Sequence, residues 1–288
     1  MRRLRLALAP MKRPTEAEFV YLDSNVIINI CDGRLDGLKS NISNAVRSER
    51  IVYPFSAAQV SEITAHPLSE RCRTRLDLLS TMSRDIYFVH SAYDYEFRIQ
   101  SPFAVYETIT EALPKLNENR LFANMIPLEH FKAARQQLGL DPVRLNNLSG
   151  SEAVAEIDRA ISGAIPDGVK APRSIREILE VTKQTTREHF SALWGQIGTT
   201  EDHMTIGNDL QGVFTLLECF GYWLDSEEVY KKGSRFPDAQ HTFNASHFDV
   251  LVTRDKGMKN RAQAAYAVLG VGTRVMLTSE YESYILQS

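Results

Sequence analysis

Four carboxylates stand where a metal-dependent hydrolase would need them: Asp23, Glu62, Asp238 and Asp255. Asp23 follows the apolar run FVYL, and Asp255 lies just past VLVT. Each is therefore an acid beyond the tip of a short buried strand. In an open parallel sheet, ligands gather beyond the strand C-termini, so two such acids are brought to one edge. Glu62 falls on the helical stretch SAAQVSEITAH, which starts at Ser56, a good N-cap residue. Asp238 follows Pro237 at the start of the helix that leads into VLVT. Each acid also has an ordinary use. Asp23 and Asp255 could cap the helices after them. Glu62 could be a solvated helix face, and Asp238 a charge favoured by a helix N-terminus. Convergence of all four is what gives them chemistry. Such a cluster repels itself unless cations are present, and hard oxygen ligands suit Mg²⁺ or Mn²⁺. Those ions activate a water, steady an attacked phosphate and stabilise the leaving oxygen, which is what phosphodiester hydrolysis requires. Asn25, two residues past Asp23, can hydrogen-bond a neighbouring carboxylate or the turn.

Basic residues surround the last acids. Arg254, Lys256, Lys259 and Arg261 follow VLVT, and Lys231, Lys232 and Arg235 precede Asp238. At the rim of a site they would bind phosphates without choosing sequence; they are equally compatible with solvated helix faces. His241, one turn from Asp238, either faces the site or packs against the sheet.

The elements that must position these residues fall into three regions. Residues 18–90 alternate strand and helix: FVYLD, a polar helical stretch at 34–48, IVY ended by Pro54, SAAQVSEITAH, the amphipathic LSERCRTRLDLLSTM with Leu76, Leu79 and Met82 on one face, and DIYFVH. Residues 226–288 return to that pattern: PDAQHTFNASHF as a helix, VLVT, KGMKNRAQAAYAVLG ended near Gly270, and RVMLT. Alternation of this kind predicts a parallel sheet, here about five strands flanked by helices and assembled from both ends of the chain. Residues 91–225 carry helical spacing punctuated by Pro, Gly and Asn, and read as a helical insertion contributing no strand to that sheet.

Composition sets the wider bounds. The 288 residues are 43% apolar and 24% charged, as in ordinary globular proteins. No apolar run approaches the ~20 residues that span a bilayer, so no membrane partner is expected. Cys31, Cys72 and Cys219 show neither metal-ligand spacing nor disulfide logic, which fits a reducing cytoplasm. The net charge of −3 is unlike that of many nucleic-acid binders, although an acid cluster holding metal ions contributes negative charge of its own. Residues 1–17 form a basic arm; LALA before Pro10 is too short for a signal peptide, and Met11 is an alternative start.

The strand with DSNVI, the helix after SAAQVSE, and PDAQHTFNASHFDVLVTRDKGM together resemble the PIN-domain family over residues 18–66 and 234–278. Asp23, Ser24 and Asn25 match the family's first motif, Glu62 its second, Asp238 its third, and Thr253 with Asp255 its fourth. The resemblance implies a PIN-like α/β domain at 18–90 and 226–288 and a Mg²⁺- or Mn²⁺-dependent nuclease. Asp23, Glu62, Asp238 and Asp255 would be its metal ligands, Asn25 and Thr253 supporting residues, and Arg254, Lys256 and Lys259 phosphate contacts. It implies RNA more than DNA as substrate, with 5′-phosphate products, and it raises a homodimer and an antitoxin-like protein inhibitor as partners. The long segment between the second and third motifs departs from the family pattern and leaves the substrate open. A haloacid-dehalogenase-type phosphatase would need a second Asp where Asn25 stands, and a receiver domain orders its residues differently. The rival of another class is a catalytically inactive PIN-like module that binds RNA or a protein partner through the helical insertion. Chain direction predicts that Asp249, at the start of VLVT, lies roughly 10 Å or more from the catalytic edge and is not a ligand.

Overall fold

The computed structural model describes residues 16–64, 67–90, 94–116, 128–184, 203–224 and 235–287. Nearly all of the expected basic arm at 1–17 lies outside them, as do Lys231 and Lys232. The chain is mixed α/β and forms two compact units. One comprises Met1–Leu116, His247–Arg254 and Met276–Ser288; the other comprises Asn117–Ser246 and Asp255–Val275.

In the first unit, strand β1 (Glu18–Leu22) pairs in parallel with β2 (Ile51–Val52) on one side and with β6 (Val250–Thr253) on the other. Strand β7 (Arg274–Leu277) lies beyond β6, giving the order β2-β1-β6-β7. All four residues of β6 are buried, as are the last four of β1. That continuous apolar burial is what a parallel strand covered on both faces requires. Helices α1 (Ser24–Cys31), α2 (Asp36–Ser48), α3 (Ala57–Ile63) and α4 (Glu70–Ser83) follow in chain order. As expected, α4 buries Leu76, Leu79 and Met82 on one face. Its end is marked by Arg84 in the left-handed region at φ 51°.

The strands divide between two sheets rather than forming one of about five. A second sheet has the order β3-β4-β5. In it β3 (Phe55–Ser56) runs parallel to β4 (Ile86–His90), which is antiparallel to β5 (Tyr95–Ile99). Two physical reasons explain the difference. Pro54 has no N–H to donate, so the ladder after Val52 breaks there, and the extended chain resumes in another sheet. Tyr95, Phe97 and Ile99 alternate with polar residues, a period of two too short to stand out ahead of a long helical region. The span expected to be helical therefore opens with a strand, in the smaller sheet. Aromatic rings join the sheets: Phe19 to Phe97 at 5.1 Å between centroids, and Phe88 to Phe248 at 5.1 Å. The unit is completed by α5 (Pro102–Leu116) and by a C-terminal helix at Thr278–Ile285, where Tyr281 Oη meets Tyr53 Oη at 2.7 Å. Burial pushes both phenols above their ordinary range.

The described elements of the second unit, apart from the first residues of β7, are helices. They are α6 (Leu128–Leu138), α7 (Pro142–Leu145), α8 (Gly150–Ala164), α9 (175–184), α10 (His203–Phe220), α11 (Arg235–Ala245) and α12 (Lys256–Leu269). Helix α12 lies against α8 and α10, and α10 against α6 and α11. The approach of α8 to α12 requires glycine. A Cβ on Gly150 would stand 2.5 Å from the backbone nitrogen of Ala264. Gly270 ends α12 at φ 71°. Helices α11 and α12 thus pack within the helical unit, and the chain returns to the first unit only for 247–254 and from 276 onward, not from 226.

Candidate metal centre

Asp23 lies one residue beyond β1 and extends its ladder: its N–H donates to Val252 O at 2.9 Å. Its backbone opens α1, with Val26 N–H donating to Asp23 O at 2.9 Å. The Asp23 side chain makes no cap hydrogen bond to that helix, so the ordinary use of a strand-tip Asp does not apply. Instead the carboxylate, 4% exposed, accepts the Thr253 hydroxyl on Oδ2 at 2.7 Å. Thr253 in turn accepts from Asn25 Nδ2 at 3.2 Å, and Asn25 Oδ1 accepts from Arg254 N–H at 3.1 Å. Asn25 therefore ties the two strand tips together, with the threonine hydroxyl between it and the acid.

Glu62 is delivered to the same place by α3. Gln59, buried in the first turn, makes two bonds that set this helix. Its Oε1 accepts from Ser56 N–H at 2.6 Å, closing a capping box, and its Nε2 donates to Leu22 O at 2.5 Å. Ser56 Oγ also meets Tyr21 Oη at 2.8 Å. Helix α3 is thereby anchored to the end of β1, and a carboxylate oxygen of Glu62, which is exposed, lies within 4.8 Å of one of Asp23. Two oxygens across one Mg²⁺ ion stand about 4.2 Å apart or closer. Oxygens within 4.8 Å of one another are near that range, so a buried, hydroxyl-supported acid beside an exposed one could hold a hard divalent ion.

Asp249 stands at the other end of β6, where its carboxylate accepts Phe19 N–H at 2.8 Å and its own N–H donates to Phe19 O at 2.9 Å. It ties the start of β6 to β1, as the chain direction predicts.

The other two acids are described within the helical unit. Asp238, in the first turn of α11, accepts Arg261 Nη2 at 2.6 Å. The Arg261 side chain is 4% exposed and lies over the Phe214 ring at 5.8 Å. Arg261 is thus a buried partner of an acid, not a solvated phosphate contact. His241, on the same helix, is buried. Asp255 does what Asp23 does not: its side chain caps α12, accepting Met258 N–H at 2.9 Å. Lys256 is exposed with its ammonium 5.6 Å from the Trp223 ring centroid, and Lys259 is half-buried. Among the described residues, Gln59 and Asn29 were not singled out from the sequence. The S-x-x-Q of SAAQ signals the first, and the i, i+4 spacing of Asn25 and Asn29 signals the second.

No protein-family model, curated protein or solved structure matches this chain.

Proposed function

We propose that the protein is a Mg²⁺- or Mn²⁺-dependent nuclease of PIN type, hydrolysing phosphodiester bonds in RNA more readily than in DNA. The observation that carries this reading is the Asp23 carboxylate. It stands at a parallel strand tip, buried and unused as a helix cap, held by Thr253 and within 4.8 Å of Glu62. In the proposal Asp23, Glu62, Asp238 and Asp255 bind the metal. His241 joins Asp238 as a further candidate. The bound ion would supply an activated water and neutralise charge on the attacked phosphate. Thr253 keeps Asp23 in one orientation and Asn25 keeps Thr253 in place. Arg254, Lys256 and Lys259 contact phosphates. The four-stranded sheet is then the core of a PIN-like domain, and a cytoplasmic setting, a homodimer and a protein inhibitor belong to the same reading.

One observation favours the alternative, a PIN-like module that binds RNA without cutting it. Asp238 and Asp255 each commit an oxygen within the helical unit. Cleavage of labelled single-stranded RNA by the full chain and by Asp23→Asn, in Mg²⁺, in Mn²⁺ and in EDTA, separates the two. The nuclease reading expects metal-dependent cleavage that Asp23→Asn abolishes with unchanged circular dichroism. Undiminished cleavage in EDTA defeats the metal mechanism. RNA retention without cleavage by the folded wild type supports the binding module.

A further inference from the structure

Helix α1 carries Asn25 and Asn29 one turn apart on the same side, and a line of hydrogen bonds runs along it away from Asp23. Asn29 is 7% exposed, and its Nδ2 donates to Asn25 O at 2.6 Å. Its Oδ1 accepts from two guanidinium groups, Arg34 Nη1 at 3.2 Å and Arg254 Nη1. Both arginines are exposed. Two like charges drawn to one neutral oxygen repel each other, so the arrangement calls for an anion. Arg34 lies 3.6 Å from the carboxylate of Asp32. Asp32 is already taken: Arg71 Nη2 contacts its two oxygens at 2.9 and 2.8 Å, and that bond holds its carboxyl below the ordinary value. Arg34 and Arg71 thus share one carboxylate, and Arg254 adds a further positive charge at the Asn29 amide.

We propose that Arg34 and Arg254, gathered on Asn29, form a binding site for a nucleic-acid phosphate neighbouring the one attacked at Asp23. The ligand class rests on the nuclease reading; the excess of positive charge does not. Each guanidinium presents five N–H donors in a planar fork suited to phosphate oxygens. Arg254 N–H is fixed on Asn25 and its side chain on Asn29, so the position of this fork is set relative to the acid that it serves. A site of this kind reads backbone and not base, so RNA and DNA of one sequence should bind alike through it.

The test uses the full chain carrying Asp23→Asn, in EDTA, with a short labelled single-stranded oligoribonucleotide as probe, titrated over a range of salt. Arg34→Ala and Arg254→Ala should each weaken binding about tenfold and lower the slope of log affinity against log salt by about 0.7. The double variant should lose less than the product of the two, because each arginine's position depends on the amide it shares with the other. Arg84→Ala, at an exposed arginine paired with Glu49, is the control and should leave binding and slope unchanged. Affinity and slope equal to the parent's in both single variants, or a parent that does not bind the probe, overturns the site. Wild-type cleavage is measured separately. Loss of binding in the arginine variants beside a wild type that does not cleave leaves the phosphate site standing without the nuclease. Cleavage with unchanged binding does the reverse.

Discussion

Replacing Glu62 by Gln should make the protein more stable without metal and remove that advantage with it. Carboxylate oxygens of Glu62 and Asp23 lie within 4.8 Å. At that separation two unit charges repel by about 1 kcal/mol in a water-like dielectric and by about 3.5 kcal/mol at an effective dielectric of 20. Asp23 is buried but Glu62 is exposed, so screening places the cost toward the lower figure, about 1–2 kcal/mol. Neutralising Glu62 recovers it, a rise of roughly 2–6 °C in the melting temperature of a chain this size. A divalent ion reverses the sign. At a hundred times its dissociation constant, an ion stabilises by about 2.7 kcal/mol, and a site weakened tenfold gains only about 1.4 kcal/mol. Calorimetry in EDTA and in increasing Mn²⁺ should therefore show Glu62→Gln melting above wild type at first and losing its lead as the ion is added. A variant no more stable than wild type in EDTA, with the same increment from Mn²⁺, would refute both the repulsion and the ligand role.

Thr253→Val should cost about 1–3 kcal/mol in thermal melts by leaving the buried Asp23 oxygen and the Asn25 amide without their hydroxyl partner. Cleavage should fall at least tenfold, while Thr253→Ser, which keeps the hydroxyl, retains most activity. Asp249→Ala should lower stability by about 1–3 kcal/mol through the lost bond to Phe19 N–H, measured by urea unfolding, yet leave cleavage per folded molecule near wild type. Burial pushes the Tyr222 phenol up to about 12, from an ordinary value of 10.0. A group whose folded value is raised stabilises fully below its unfolded value, so the helical unit should lose stability between about pH 10 and 12. Ultraviolet titration should show late-ionising tyrosines, and Tyr222→Phe should remove one of them, the one titrating near 12.

The strand tips were legible because a short apolar run ending in Asp or in Thr-x-Asp is a local pattern. Asp23 and Thr253 stand where that pattern puts them, and Asp249 stands at the far end as the parallel direction requires. Two neighbouring features were not legible. A strand-tip acid and a helix-capping acid look alike in sequence, and only geometry separates Asp23, which does not cap, from Asp255, which does. The allegiance of α11 and α12 was also hidden. Their apolar faces fit a sheet or other helices equally well, and Gly150, whose lack of a side chain admits Ala264, lies more than a hundred residues earlier. Strands β3 and β5 escaped because two residues beside a proline, or five with alternating aromatics, carry too little pattern to compete with flanking helices.

The central pairing of the larger sheet joins residues about 230 positions apart, Phe19 with Asp249. At roughly 5–20 residues per second, a ribosome takes about 10–50 seconds to make the second strand after the first. For that time β1, whose last four residues are buried in the finished unit, has one unfilled side. Sequential synthesis then favours early closure of the β3-β4-β5 sheet, whereas the strand carrying Thr253 and the helix α12 that completes the helical unit both wait for the last part of the chain. Until β6 arrives, Asp23 lacks the hydroxyl that holds it. The nascent chain therefore passes most of its synthesis with Asp23 and Thr253 apart and one edge of β1 unpaired.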